Sequence, residues 1–175
     1  MEDGSYQEAI EWCTKGIGKV NQTTDTEVYL GLLTNLMNAK VKLNAPIEEI
    51  TEVGEKLRKV SINHKDKMFY FYVFTNLGEY YYRNQNFAKA REYYSQGVAV
   101  RLKYDLENLE ADNMLALCFQ KQADFKASTT LYHQLITSIE RSPLLAYEKS
   151  KYYLHQADNF RQQKELNKSE IYIQN

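Results

Sequence analysis

Between Asn76 and Gly97 the chain reads NLGEYYYRNQNFAKAREYYSQG, and its apolar, small and polar positions separate at helical spacing. Leu77, Gly78 and Tyr81 fall on one helical face, Asn86 and Phe87 mark a turn, and Ala90, Tyr94 and Gly97 form the matching face of a second helix. The small residues let two backbones approach and the aromatics fill the space on either side of the contact. The segment therefore predicts a tightly packed helical hairpin, with Asn76, Glu79 and Arg83 left off the packing face.

The same pattern returns downstream. A shift of 38 residues carries Gly78 to Ala116, Tyr81 to Phe119, Phe87 to Phe125, Ala90 to Ser128 and Tyr94 to Tyr132. A further shift of 41 carries Ala116 to Ala157, Phe119 to Phe160, Phe125 to Leu166, Ser128 to Ser169 and Tyr132 to Ile173. Upstream the copy is degenerate: Thr34, Asn35 and Leu36 repeat Thr75, Asn76 and Leu77, and a turn at Asn44, Ala45 and Pro46 leads into a helix with Ile50, Gly54 and Leu57. Before it, Tyr6, Ala9, Cys13 and Gly16 match only the second half of a unit, so the chain is expected to open in mid-repeat as an excerpt lacking an N-terminal domain.

Boundary signals divide the chain in the same places. Thr24 to Glu27 reads as a capping box, Asn44 with Pro46 as a helix stop and start, Asp124 as an N-cap, and Ser142 with Pro143 as a helix start. The prediction is an all-α chain of about nine helices, near 5–19, 25–43, 46–60, 64–83, 87–103, 106–122, 125–140, 143–163 and 166–174. They group into one repeat domain over 1–175: half a unit at 1–20, a degenerate unit at 24–61, and units at 64–103, 106–140 and 143–175.

Composition narrows what such an array does. With 43% hydrophobic and 26% charged residues, the chain has the makings of a buried core, and two prolines leave few helix breaks. A net charge of -1 supplies no global basic field for nucleic acid or an anionic membrane. Cys13 and Cys118 stand far apart without metal-ligand spacing and read as small buried hydrophobes. No run of about 18 apolar residues and no basic-then-apolar leader is present, which points to a soluble, intracellular, cytoplasmic protein.

At these small and aromatic positions the chain resembles the tetratricopeptide repeat (TPR), a helical hairpin of about 34 residues that stacks into an α-α superhelix. The periods of 38 and 41, and Leu102 near the place where a proline often closes the unit, depart from that pattern, and longer units of this sort resemble the peptide-sensing regulators of Gram-positive bacteria of the Rap, PlcR and Rgg type. That resemblance implies a domain that seats a short effector peptide in a concave groove and passes the change to a transcriptional output. It also implies that nucleic acid is met only through a domain absent from this chain. The alternatives are an adaptor that joins two proteins without a small effector, or a regulator that sequesters a response-regulator protein.

First helices of such hairpins line the concave side. The candidate peptide-binding residues are Asn35, Tyr72, Asn76, Glu79, Arg83, Asn113, Gln120, Lys151, His155 and Asp158. Asn35, Asn76 and Asn113 recur at nearly corresponding places, and an amide that offers donor and acceptor together suits the backbone of an extended peptide. The fifteen tyrosines read as packing with their hydroxyls at the surface, because base stacking needs a basic groove as well. His64, His133 and His155 are isolated, and no HExxH, GxSxG or phosphate loop occurs, so no catalytic residue, metal or cofactor is assigned. Apolar residues at the two ends, Ile10, Trp12 and Ile17 and then Ile171, Tyr172 and Ile173, predict a homodimer through one of them.

Overall fold

A computed structural model describes residues 3–140 and 146–163, and these form eight α-helices without a strand. They are α1 (Asp3–Ile17), α2 (Thr26–Lys42), α3 (Ile47–Ser61), α4 (Met68–Arg83), α5 (Phe87–Tyr104), α6 (Glu110–Lys121), α7 (Phe125–Glu140) and α8 (Ala146–Gln162). The expected helix at 166–174, the helix start at Ser142 and Pro143, the repeat positions Leu166, Ser169 and Ile173, and the apolar Ile171 and Tyr172 lie outside the described residues.

Two helix starts lie four residues later than the sequence predicts and one predicted cap fails, each through local side-chain bonding. α4 begins at Met68 instead of 64 because Asp66 takes the N–H of Met68 on its carboxylate at 2.8 Å and His64 Nδ1 takes that of Asp66 at 3.2 Å. α6 begins at Glu110 instead of 106 because Asp105 turns left-handed, with φ 51°, and Asn108 holds the N–H of Glu110 at 2.9 Å. The capping box at Thr24 to Glu27 does not form: Asn21 Oδ1 takes the amides of Thr23 and Thr24, and α2 starts after Asp25 with no side-chain cap. Asn86 and Asp124 do cap, accepting from the N–H groups of Lys89 and Ala127 at 3.2 and 3.1 Å.

One turn is used inside three successive hairpins. Asn44, Gln85 and Ala123 adopt φ of 52°, 58° and 61° just past the ends of α2, α4 and α6. Around each, a crossed pair of hydrogen bonds closes the helix: Gln85 N–H to Tyr82 and Asn86 N–H to Tyr81 at 3.0 and 2.8 Å, and Ala123 N–H to Gln120 and Asp124 N–H to Phe119 at 3.0 and 2.9 Å. Asparagine tolerates this backbone, whereas a left-handed glutamine or alanine is strained by about 1–2 kcal/mol. Gln85→Gly and Ala123→Gly are therefore each expected to stabilise the fold by about 0.5–1 kcal/mol, after glycine's extra unfolded-state entropy is subtracted. Urea denaturation of each variant measures this, with Asn44→Gly gaining less.

Every helix packs on its neighbours in sequence, and α2, α4, α6 and α8 also touch one another in series, whereas α1, α3, α5 and α7 do not. The array therefore curves around the even-numbered helices, which form the inner, concave row. Glycine sets the closest approaches. A Cβ on Gly78 would lie 2.8–2.9 Å from the ring of Tyr94, and one on Gly97 would lie 3.0 Å from Ala111 Cβ. Tyr94 is fully enclosed, and 38 residues later Tyr132 is fully enclosed beside Ala116 in a second core cluster. Burial pushes both phenols well above the usual tyrosine range.

Cys13 and Cys118 are buried, and desolvation pushes the Cys118 thiol up to about 12, so it is a packing residue and not a nucleophile. The apolar end expected on α1 is smaller than the sequence suggests. Ile10 and Ile17 pack against the main core, and only Trp12 is open, at 70% exposure with Lys15 Nζ 4.9 Å from its ring centre.

Candidate functional site

The inner row is built from first helices of successive hairpins, so its chemistry is set by what adjacent even-numbered helices do with their facing polar residues. Between α2 and α4 the side chains close on each other. Lys42 forms an ion pair with Glu79, Arg83 donates to the Lys42 carbonyl at 3.2 Å, and Asn84 donates to Asn44 Oδ1 at 2.7 Å. Glu79 and Arg83 thus face back onto α2. Lys42 belongs to this constellation without having been singled out from sequence, where Asn44 read only as a helix stop; the signal was a basic last turn on α2, 37 residues before Glu79.

A second set joins α6 to α8. Asn113 Oδ1 lies 2.9 Å from His155 Nδ1, which makes the imidazole the donor through Nδ1. Gln120 Nε2 donates to Asp158 Oδ2 at 3.0 Å; Gln162 donates to the same oxygen at 2.7 Å, and Arg161 pairs with Asp158 Oδ1. Four of the ten candidates, Asn113, His155, Gln120 and Asp158, are thereby brought into direct contact across one helix seam.

The three asparagines do not share one environment. Asn35 is exposed on α2. Asn76 is buried, with Nδ2 donating to the Tyr72 carbonyl of its own helix at 2.8 Å and Oδ1 buried without a partner. Asn113 is buried against α8. The step from Asn35 to Asn76 is 41 residues, but Asn76 to Asn113 is 37 where the repeat advances by 38, and one residue of slip turns a side chain by about 100°.

An open cleft of about 350 Å³ lies between the start of α6, with the segment that leads into it, and Lys151 and Tyr152 of α8. Glu107, Leu109 and Glu110 line one side, Lys151 and Tyr152 the other, and Asn113 and Met114 complete it. Acidic groups thus sit opposite an exposed lysine across a partly apolar base. Leu109, Met114 and Tyr152 carry no sequence signal for a site, because apolar residues at helical spacing read as packing. Tyr72 stands near this region on α4: burial, then the carboxylates of Glu110 and Asp66, hold its phenol above the usual range.

His155 is half-buried, its ring centre 6.0 Å from that of Tyr132. Desolvation, reinforced by Lys151 and opposed by Asp158, holds its pKa below the usual histidine range. The unfolded chain thus takes up this proton near pH 6.5 while the folded chain does not, so the stability linked to His155 is complete above that pH and falls as pH drops toward the lowered folded value. Urea midpoints taken at about pH 7.5 and about pH 5.5 are expected to fall more steeply for the wild type than for His155→Gln; equal slopes would exclude the linkage.

Among the described residues no group of three His, Cys, Asp or Glu side chains is placed to hold a metal, and no helix is long and apolar enough to cross a membrane. No protein-family model matches the sequence, and none of the curated proteins does. Solved structures do. A kinesin light chain-like protein of Podosopora anserina with nearly identical TPR-like repeats superposes with a TM-score of 0.70 at 16% identity, over 99% of this chain and 86% of that one. A singly substituted form of that protein gives a TM-score of 0.71 at 18% identity, over 99% and 85%. At such identity the likeness shows the fold: an α-α superhelix of TPR-like helical hairpins.

Proposed function

We propose that this chain is a binding scaffold that seats an extended peptide or protein segment on its concave side, with the cleft between α6 and α8 as the principal contact. The observation that carries this is the cleft itself: Lys151 and Tyr152 on one wall, carboxylates on the other and Met114 between them, on two helices tied together by Asn113 and His155. Its charges suit a segment that carries an acid toward Lys151 and a base toward Glu107, with a small apolar side chain between. At the α2/α4 end, Lys42, Glu79 and Arg83 already satisfy one another, so that part of the inner face contributes shape more than free hydrogen-bonding groups.

Within this reading the ligand is a short effector peptide, as for the sensor domain of a bacterial transcriptional regulator. Random linear peptides displayed on phage and panned against the wild-type chain test it directly. Enriched peptides, measured by calorimetry, are expected to lose at least about tenfold in affinity on Lys151→Glu and on Met114→Ala, and nothing on Lys56→Ala of α3. No enrichment, or equal binding to all three variants, would remove the reading.

A further inference from the structure

The seams between successive hairpins are built from corresponding positions, and one of them changes character. Where α5 meets α6, Ala90 and Tyr94 on α5 and Leu115 and Cys118 on α6 are enclosed without an unpartnered polar atom, and the buried Asp112 is held by Arg101. The corresponding positions one repeat later, displaced by 38 on the first helix and 41 on the second, are Ser128, Tyr132, Gln156 and Asn159. All four are fully enclosed. Asn159 Nδ2 reaches Thr129 Oγ1 at 2.8 Å and the Phe125 carbonyl at 3.4 Å, which sets the antiparallel register of α7 and α8. In that register Ser128 stands level with Asn159, and Tyr132 level with Gln156. Ser128 Oγ, the Tyr132 hydroxyl, Asn159 Oδ1 and both amide atoms of Gln156 are buried without a partner.

Each such group regains water when the seam opens, which offsets part of the apolar burial that Leu135, Ile136, Ile139 and Tyr152 supply there, so opening costs less here than at the α5/α6 seam. The remaining ties of α8 to α6, Asn113 with His155 and Gln120 with Asp158, are hydrogen bonds that water replaces with little net change. We propose that the α7/α8 seam is a release joint: α8 undocks from α7 while α2 to α5 stay folded, and the concave cleft exists only in the docked state. Insofar as it rests on the peptide-binding reading above, a ligand touching Glu110 and Lys151 together binds only the docked form and draws α8 into place.

Hydrogen exchange of the free full chain, followed by mass spectrometry, tests the joint without any ligand, so its failure is separate from a failure to find a peptide. Amides of α8 are expected to exchange at least about tenfold faster than those of α4 and α5. The double variant S128A/Q156L, which installs the alanine and leucine that the preceding seam uses, is expected to slow α8 by at least about tenfold and to leave α4 and α5 unchanged. If the double variant misfolds by circular dichroism, Gln156→Met supplies the same readout. Exchange of α8 at the rate of α4 and α5 in the wild type would overturn the joint. So would an α8 rate that the variant leaves unchanged, since the enclosed polar groups would then not set how firmly α8 docks.

Discussion

Gly78→Val is expected to destabilise the fold by about 3 kcal/mol or more, because the first added carbon already meets an immovable ring. That carbon would stand 2.8–2.9 Å from Cε1, Cδ1 and Cζ of Tyr94, whose side chain is enclosed on all sides at the α4/α5 contact. Removing the glycine's backbone freedom gives back only about 1 kcal/mol of helix propensity, and for a β-branched residue less. Tyr94→Ala alone is expected to lose about 3–5 kcal/mol through the cavity it leaves. Since the added valine methyls would occupy part of that cavity, the double variant is expected to fall short of the sum of the singles by more than about 1 kcal/mol. Chemical denaturation of all four species measures the cycle, and strict additivity would show that the two residues do not press on each other.

That contact also shows why so much of the fold was legible. Gly78 with Tyr94 and Ala116 with Tyr132 are read from spacing because a backbone approach needs a small residue opposite a large one, and the requirement repeats with each hairpin. The turns were legible for the same reason, through Asn86 and Asp124 as caps. Helix starts were harder to place. The residues before α4 and α6 have helical composition, and their exclusion from the helices depends on Asp66, His64 and Asn108 taking backbone amides for themselves.

The concave residues were legible only as a set. A first helix turns one face to its own hairpin partner and the adjacent polar stripe to the inner row, but that stripe is shared between the helix before, the helix after and the open groove. Glu79 and Arg83 go to α2, Asn113 and Gln120 go to α8, and Lys151 opens to the cleft. Periodicity separates polar from apolar faces; it does not separate directions about 100° apart on the same polar face, which is what one residue of slip between Asn76 and Asn113 amounts to. The polar substitution at Gln156 and Asn159 was equally hidden, since glutamine and asparagine on a helix ordinarily read as surface.

Arg101→Met is expected to lose about 2–3 kcal/mol, and the loss originates in the residue left behind. Arg101 at the end of α5 holds Asp112 in the first turn of α6 through two bonds, Nε to Oδ2 at 2.7 Å and Nη2 to Oδ1 at 2.8 Å. The carboxylate side chain is 9% exposed and the guanidinium 19%, so water is poorly placed to replace the lost partner. One repeat later the positions of Arg101 and Asp112 are taken by Ile139 and Tyr153, so the architecture itself does not require an ion pair there. The pair R101M/D112L is accordingly expected to return to within about 1 kcal/mol of the wild type, a coupling that denaturation of the two singles and the double would reveal. A double variant as weak as Arg101→Met would mean that the pair contributes net stability instead of compensating its own desolvation. The same variants separate folding from binding: the pair fixes the start of α6, and Glu110 and Asn113 project from that turn into the cleft. A peptide selected on the wild type should therefore bind R101M/D112L more weakly than its restored stability alone would suggest, because an apolar contact holds the helix in place without the bidentate geometry that sets its rotation.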